Sequence, residues 1–223
     1  CALLPRPAER PLPVIRSAPA ESAELVVFLP GRWSRIEEFE REGFFEIAAK
    51  RWPGASLVAA DLHIGYYRNR SAPRVLHEDV IAPAVRKRAR NVRIVGISMG
   101  GLGALMYHLE HPGVVDEIVL LSPFVGNEEG WREIAAAGGV RRWRPGTVDE
   151  ADFTRKLWLG LRELWILKER RPNVLLACGF QDRLAESNRR FAEDFLQPGD
   201  VLWVEGGHDW PAWREQLRKL PVR

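Results

Sequence analysis

The sequence predicts an α/β fold, with a mostly parallel β-sheet and helices on both of its faces, and two observations support this. Short apolar runs recur along the 223 residues and are nearly continuous in Val, Ile, Leu and Ala, as expected for strands covered on both faces. Stretches with helical periodicity separate these runs, and such alternation favours a parallel sheet with crossover helices. The predicted strands are residues 24–29, 56–62, 92–97, 117–121, 174–178 and 201–204.

The stretches between these strands are amphipathic, with apolar residues recurring at helical spacing among charged ones. A chain of this length is sufficient for one domain with a sizeable buried core, and the sequence contains no internal repeat. The predicted helices lie near residues 35–51, 77–89, 99–110, 151–169, 186–196 and 209–219.

Two segments stand apart from this alternation. Residues 1–20 are rich in proline and are predicted to form a tether or an extended edge segment, so the main domain comprises residues 21–223. The longest connection without a strand lies near residues 125–172, where glycines are followed by a helix-like stretch. Long connections are often functional, so this insertion is interpreted either as a small cap over the active site or as a crossover helix with a long lead-in.

The composition excludes two classes of function. Hydrophobic residues make up 46% of the chain and charged residues 28%, with a net charge of +3. The basic residues are interleaved with acidic ones, which argues against a nucleic-acid-binding surface. No apolar run approaches the roughly 20 residues that a transmembrane helix needs.

The two cysteines, Cys1 and Cys178, lie far apart in the sequence. Cys178 falls within an apolar run, so we expect a buried thiol and no disulfide. A leading cysteine followed by Ala-Leu-Leu and several prolines is typical of a mature bacterial lipoprotein, which would attach to a membrane through lipid on Cys1. Alternatively, the sequence simply begins there. A cell-envelope location and a cytoplasmic one both remain open.

The strongest motif is Gly96-Ile97-Ser98-Met99-Gly100, which lies between a predicted strand and a helix rich in small residues. The glycines suit a tight strand-to-helix turn, where larger side chains would be crowded. Such a turn exposes the serine hydroxyl at the helix N-terminus, where free amides favour a developing anion. The motif therefore predicts Ser98 as a nucleophile, the alternative being a plain glycine-rich turn.

A nucleophilic serine needs a base, and the base needs an acid to orient it. Asp182 follows the strand at 174–178, and His208 follows the strand at 201–204. Both lie at the carboxyl ends of strands, where open α/β sheets place their sites. We therefore predict a triad of Ser98, His208 and Asp182. Asp209 is the rival acid, although a side chain next to His208 does not easily reach back to its ring.

Two backbone amides are expected to bind the oxyanion. One belongs to Met99, directly after the nucleophile. The other belongs to Arg32, after the strand at 24–29, with Trp33 as the second choice. The Arg32 side chain either points to solvent or binds a carboxylate or phosphate group of the substrate.

Together, the segments around Ser98, Asp182 and His208 resemble the α/β-hydrolase superfamily over most of residues 24–219. The motif Gly-His-Asp-Trp-Pro-Ala-Trp, which contains His208, is similar to the putative-esterase branch, which includes esterase D, feruloyl esterases and mycolyltransferases. This resemblance implies a serine esterase that cleaves a carboxylic ester or thioester of a small molecule through an acyl-enzyme, without a cofactor. Pro30 stands where many relatives have a histidine, so the substrate does not carry over.

Two other functions remain as alternatives. The same acyl-enzyme could transfer its acyl group to an alcohol, which would make the protein an envelope acyltransferase. A non-catalytic binding protein with a hydrolase fold is the other alternative, and the filled triad positions argue against it.

The other histidines are weaker candidates for a functional site. His108 and His111 are three residues apart, as a metal pair is, but the sequence after them reads as a helix terminus and no acid or cysteine stands at ligand spacing. His63 and His77 flank a tyrosine- and arginine-containing segment that is predicted to be a loop. That loop either lines the substrate pocket or is solvated.

Overall fold

The computed structural model describes residues 6–17, 19, 21–167 and 171–221. Its centre is a seven-stranded sheet, which contains every strand that the sequence predicts and one more at the N-terminal edge. In chain order the strands are β1 (Val14–Ser17), β2 (Glu24–Leu29), β3 (Ser56–Ala60), β4 (Asn91–Ile97), β5 (Glu117–Leu121), β6 (Asn173–Gly179) and β7 (Val201–Val204).

The strand order is β1-β3-β2-β4-β5-β6-β7. Strands β2 to β7 run parallel to their neighbours, whereas β1 pairs antiparallel with β3, with Val14 opposite Ala60. The predicted α/β fold with a mostly parallel sheet is confirmed. Because parallel strands end at the same edge, the turns after β4, β6 and β7 all open on one side of the molecule.

Helices cover both faces of the sheet. The predicted helix at 35–51 is divided at Gly43, which has a φ of +72° that favours glycine. π-helical turns occur at His77–Ile81 and Arg162–Leu167, and a 3₁₀ turn at Pro198–Asp200. The α-helices are α1 (Glu37–Arg41), α2 (Phe44–Arg51), α3 (Ile64–Arg68), α4 (Ala72–Leu76), α5 (Ala82–Lys87), α6 (Met99–Glu110), α7 (Glu128–Ala136), α8 (Phe153–Leu161), α9 (Ala185–Phe195) and α10 (Trp210–Lys219).

The prediction of a loop between His63 and His77 is wrong, because this segment forms α3 and α4. The His63 side chain accepts a hydrogen bond from the Gly65 amide at 3.1 Å and so caps α3. Pro73 lies in the first turn of α4, where its missing amide hydrogen is tolerated. Each helix has only five residues, too few to display a helical period in the sequence.

The N-terminal segment is attached to the domain from residue 6 onward. Arg6 forms two hydrogen bonds with Asp61, at 2.7 and 2.9 Å. Asp79 accepts a hydrogen bond from the Leu12 amide at 2.9 Å and pairs with the Arg10 guanidinium. Within the predicted tether or edge segment, these contacts precede an edge strand at Val14–Ser17. Cys1 lies outside the described residues.

The sheet separates two hydrophobic clusters. Alternate side chains of a strand point to opposite faces, and β2 shows this division. Leu25 and Val27 belong to the larger cluster, which includes residues of α6, α8 and α9, whereas Val26 and Phe28 belong to the smaller one beneath α1, α2 and α10. No helix within the described ranges is long and apolar enough to cross a membrane.

The insertion near residues 125–172 packs into the larger cluster. Trp158 of α8 is fully buried there, and its indole nitrogen donates to the Val125 carbonyl at 2.8 Å. Gly160 of the same helix lies against Leu109 of α6. The insertion therefore shares its core with the rest of the domain.

Candidate active site

Ser98 occupies the sharp turn between β4 and α6. Its φ of 51° and ψ of −114° lie outside the ordinary regions for an L-residue. Hydrogen bonds hold this backbone in place, from the Ser98 amide to the Leu121 carbonyl at 3.0 Å and from the Phe124 amide to the Ser98 carbonyl at 2.8 Å. Strained backbone of this kind persists only where surrounding contacts fix it, and it clusters at functional sites.

The glycines on either side of Ser98 allow the close approach of backbone segments that this turn requires. A Cβ on Gly100 would lie 2.2 Å from the Leu29 carbonyl oxygen of β2. A Cβ on Gly96 would lie 2.4 Å from the Gly100 carbonyl oxygen. Helix α6 therefore starts directly against the sheet, and Ser98 lies at its N-terminus.

The fold brings the three predicted triad residues into one hydrogen-bonded chain. His208 Nε2 lies 2.9 Å from Ser98 Oγ, and His208 Nδ1 lies 2.8 Å from Asp182 Oδ2 and 3.0 Å from Oδ1. The Asp182 side chain is fully buried, and that of His208 is 12% exposed. This is the geometry in which an imidazole can take a proton from a serine hydroxyl while a carboxylate holds the ring.

The surroundings of Asp182 favour its charged form. Burial alone would raise the pKa of this carboxyl group, but hydrogen bonds from His208 and from the Leu184 amide outweigh it and hold the pKa below its ordinary value. An ionised Asp182 accepts a hydrogen bond from His208 Nδ1–H, which keeps the ring proton on that nitrogen. The other ring nitrogen, Nε2, then carries a lone pair directed at the Ser98 hydroxyl.

The rival acid, Asp209, has a different task. Its side chain accepts a hydrogen bond from the Ala212 amide at 3.0 Å and so caps α10. The ring of Trp213, one turn further on, stands edge-on to His208 with 5.1 Å between centroids. Asp209 thus fixes the start of the helix that follows the histidine.

The loops that carry Asp182 and His208 touch each other directly. A Cβ on Gly179 would lie 2.1 Å from the Gly206 carbonyl oxygen, so no other residue fits there without movement. The Gly206 amide donates to Gln181 Oε1 at 2.7 Å. Sequence reasoning missed both Gly179 and Gln181, since neither belongs to a motif.

The predicted oxyanion amides lie on two sides of the nucleophile. Met99 begins α6, and Arg32 follows Gly31, where a Cβ would lie 3.5 Å from Ser98 Cβ. Within the described part of the chain, neither the Met99 nor the Arg32 amide has a hydrogen-bond acceptor. The Arg32 guanidinium is exposed and lies 4.9 Å from the centre of the Trp33 ring, which is 70% exposed.

Tyr67 is a further residue that sequence reasoning placed in a loop. Its hydroxyl donates to the Met99 carbonyl at 3.2 Å, so α3 supports the first turn of α6. Burial raises the pKa of Tyr67, which keeps this hydroxyl protonated. The contact spans 32 residues and leaves no local pattern in the sequence.

The remaining histidines contact other parts of the fold. His77 Nδ1 lies 2.9 Å from the Tyr107 hydroxyl, and its ring stacks on His111 with 4.1 Å between centroids. His108 is buried in α6. Among the residues that the structure describes, no group of three or more His, Cys, Asp or Glu side chains is arranged to hold a metal ion.

Comparison with known proteins identifies the family of this chain. Residues 77–220, more than half of the chain, match the family model described as "Putative esterase". The chain is 28% identical over 149 residues to an acetyl esterase of Caldicellulosiruptor saccharolyticus, a match that covers 61% of this chain and 55% of that protein. It thus spans about half the length of this relative.

Solved structures share the fold. The S-formylglutathione hydrolase of Staphylococcus aureus superposes with a TM-score of 0.62 at 17% identity, over 89% of this chain and 80% of that one. Est1E of Butyrivibrio proteoclasticus gives a TM-score of 0.60 at 16% identity, over 92% and 90%. The chain therefore belongs to the putative esterase family and has the α/β-hydrolase fold.

Proposed function

We propose that this protein is a serine hydrolase that cleaves a carboxylic ester through an acyl-enzyme. Ser98 is the nucleophile, His208 the general base and Asp182 the acid that orients it. The observation that carries this proposal is the unbroken chain of hydrogen bonds from Ser98 Oγ through both nitrogens of His208 to Asp182. Family membership supports the ester as the bond, and the acetyl esterase relative supports a short acyl group.

In this mechanism Ser98 Oγ attacks the ester carbonyl while its proton passes to His208 Nε2. The carbonyl oxygen becomes an anion, which the Met99 and Arg32 amides stabilise. Collapse of the tetrahedral intermediate breaks the bond to the alcohol, which takes the proton from His208. Water then attacks the acyl-enzyme by the same route and releases the acid. This chemistry needs no cofactor.

The experiment is labelling with a fluorophosphonate, which reacts with activated serines. We expect one label, on Ser98, and none in Ser98→Ala. Turnover of p-nitrophenyl acetate should fall by several orders of magnitude in the same variant, because triad members act as a unit. Ser34→Ala is the matched control, because Ser34 is a second serine near the same site. A Cβ on Gly31 would lie 3.4 Å from Ser34 Oγ and 3.5 Å from Ser98 Cβ. The Ser34→Ala variant should still be labelled.

Labelling that persists in Ser98→Ala would refute the assignment. Adding an alcohol acceptor to the same assay separates hydrolysis from acyl transfer. A hydrolase releases the free acid at an unchanged rate, whereas an acyltransferase would form a new ester instead.

A further inference from the structure

One buried polar side chain of α10 is not used in the proposed mechanism. Gln216 is fully buried, although α10 otherwise faces the sheet with apolar residues such as Leu217. A buried amide without partners would destabilise the fold, so its hydrogen bonds decide how it is oriented. In the orientation that satisfies them, its nitrogen donates to the Ala177 carbonyl at 3.2 Å, and its oxygen accepts from Ser122 Oγ at 3.1 Å and from the Gly179 amide at 3.2 Å.

Ser122 lies where β5 ends and is itself unusual. It is fully buried and has a φ of 46°, a left-handed conformation that disfavours any residue except glycine. Its amide donates to the Ala177 carbonyl at 2.7 Å, which holds it against β6. Its hydroxyl also lies beside Asp182 and helps to lower the pKa of that carboxyl group. Because a hydroxyl has one proton, it donates to Gln216 or to Asp182 but not to both at once.

Gly179, whose amide donates to Gln216, links Gln216 to the backbone of Asp182. It is the last residue of β6, and its carbonyl accepts from the Asp182 amide at 3.2 Å, which forms the turn that presents the acid. Gln216 therefore contacts both the residue that begins the acid's turn and the serine beside its carboxylate. It does so from a helix that starts two residues after His208.

We propose that Gln216 and Ser122 are positioning residues for Asp182, and that their hydrogen bond fixes the carboxylate relative to His208. The pair ties the helix that follows the base to the strand ends that carry the acid. The inference rests on the proposed function, since it refines the assignment of the triad.

A structural role alone does not account for both residues. An apolar side chain of similar size at position 216 would fill the space, but it would leave the Gly179 amide without the acceptor that Gln216 supplies. A glycine at position 122 would adopt the left-handed backbone without strain. Buried hydrogen-bond networks that are fully satisfied instead hold their members in one arrangement, which a triad requires.

The test compares Gln216→Leu and Ser122→Gly with the unmodified protein. Each variant removes the hydrogen bond between the two side chains. We expect kcat for p-nitrophenyl acetate to fall about tenfold in each, because small displacements of catalytic groups are costly. KM should change by less than about twofold, since both residues are fully buried and out of reach of the substrate. The double variant should be no worse than the single ones, because both act on the same contact.

Proton NMR gives a readout that does not need turnover. The proton between His208 Nδ1 and Asp182 should give a low-field resonance in the unmodified protein, and it should shift upfield or broaden in both variants. Leu217→Ala is the matched control, because it removes a fully buried side chain from the same helix. It should lower the melting temperature while leaving the resonance and kcat unchanged.

Folded variants with unaltered kcat and an unaltered resonance would overturn the proposal, and so would equal changes in Leu217→Ala. If Gln216→Leu does not fold, Ser122→Gly still decides, because glycine relieves backbone strain at that position. Failure of the proposed function looks different, since the unmodified protein would then neither turn over esters nor react with the fluorophosphonate.

Discussion

Asp182 and Asp209 have the same side chain, and their surroundings give them different roles. Asp182 is fully buried and contacts both His208 and the Leu184 amide. Asp209 is adjacent to the histidine in sequence, but its carboxylate turns away to cap α10. A helix cap and the proposed triad need a carboxylate for different reasons, so the two positions should respond differently to the same substitution.

We expect Asp182→Asn to lower turnover by a factor on the order of 10⁴ with little change in substrate binding. An amide at this position would donate to His208 Nδ1, and the ring proton would then lie on Nε2, where it cannot accept from Ser98. Asp209→Asn should change turnover little, because asparagine caps helices as well as aspartate does. Steady-state kinetics with p-nitrophenyl acetate measure the turnover of both variants. The reverse order of effects would make Asp209 the acid.

At the scale of single elements, the first turn of α6 is held from three directions. The bare backbone of Gly100 lies against β2, the Ser98 carbonyl accepts from the Phe124 amide after β5, and Tyr67 of α3 donates to the Met99 carbonyl. The turn at Ser98 thus depends on three neighbouring elements as well as on its own motif. Such support is what keeps a strained backbone in one conformation.

The N-terminal edge of the sheet depends on a different kind of contact. Burial alone would raise the pKa of Asp79, but its hydrogen bonds with Arg10 and the Leu12 amide outweigh burial and lower it. A carboxyl group whose pKa is lower in the folded state stabilises the fold above its unfolded pKa of about 4, and this contribution is lost as the pH falls through the folded pKa. Asp79 thus holds the segment that precedes β1 at neutral pH.

We therefore expect the Leu12 amide to be protected from hydrogen exchange at neutral pH and to lose that protection below about pH 4, before the sheet unfolds. Hydrogen exchange followed by NMR measures the protection of the Leu12 amide at each pH. In Asp79→Asn the protection at neutral pH should be weaker and should no longer depend on pH in this range. Protection of Leu12 that is unchanged in acid would show that the carboxylate does not hold the segment.

For the molecule as a whole, the important feature is the shared core of the sheet and the insertion near residues 125–172. Trp158 of the insertion packs against Phe191 and Phe195 of α9, with ring centroids 5.6 and 5.4 Å away. Since these rings belong to the cluster that also contains strand residues, the insertion and the sheet should unfold together.

Trp158→Ala should lower the free energy of unfolding by about 3–5 kcal/mol, because it opens a large cavity in that cluster. Near- and far-ultraviolet circular dichroism should still give one coincident transition in denaturant. Trp33→Ala is the control, since that ring is 70% exposed and its loss should change stability by no more than about 0.5 kcal/mol. Two separate transitions would mean that the insertion is an independent unit.

The sequence by itself determined the six parallel strands of the sheet and the neighbourhood of Ser98. Strands buried on both faces leave continuous apolar runs, and the tight turn at Gly96 to Gly100 excludes larger side chains locally, so both can be predicted without tertiary structure. The carboxyl ends of parallel strands meet at one edge, which is why Asp182 and His208 could be named as partners from strand positions alone.

The tertiary structure decided what depends on distant contacts. Only the folded chain distinguishes Asp182, within hydrogen-bond distance of His208, from Asp209, which caps a helix. The contacts of Tyr67 with Met99 and of Gln216 with Ser122 join residues 32 and 94 positions apart. Such pairs follow no local period, because their partners are set by how helices pack on the sheet, and a single sequence carries no record of that packing.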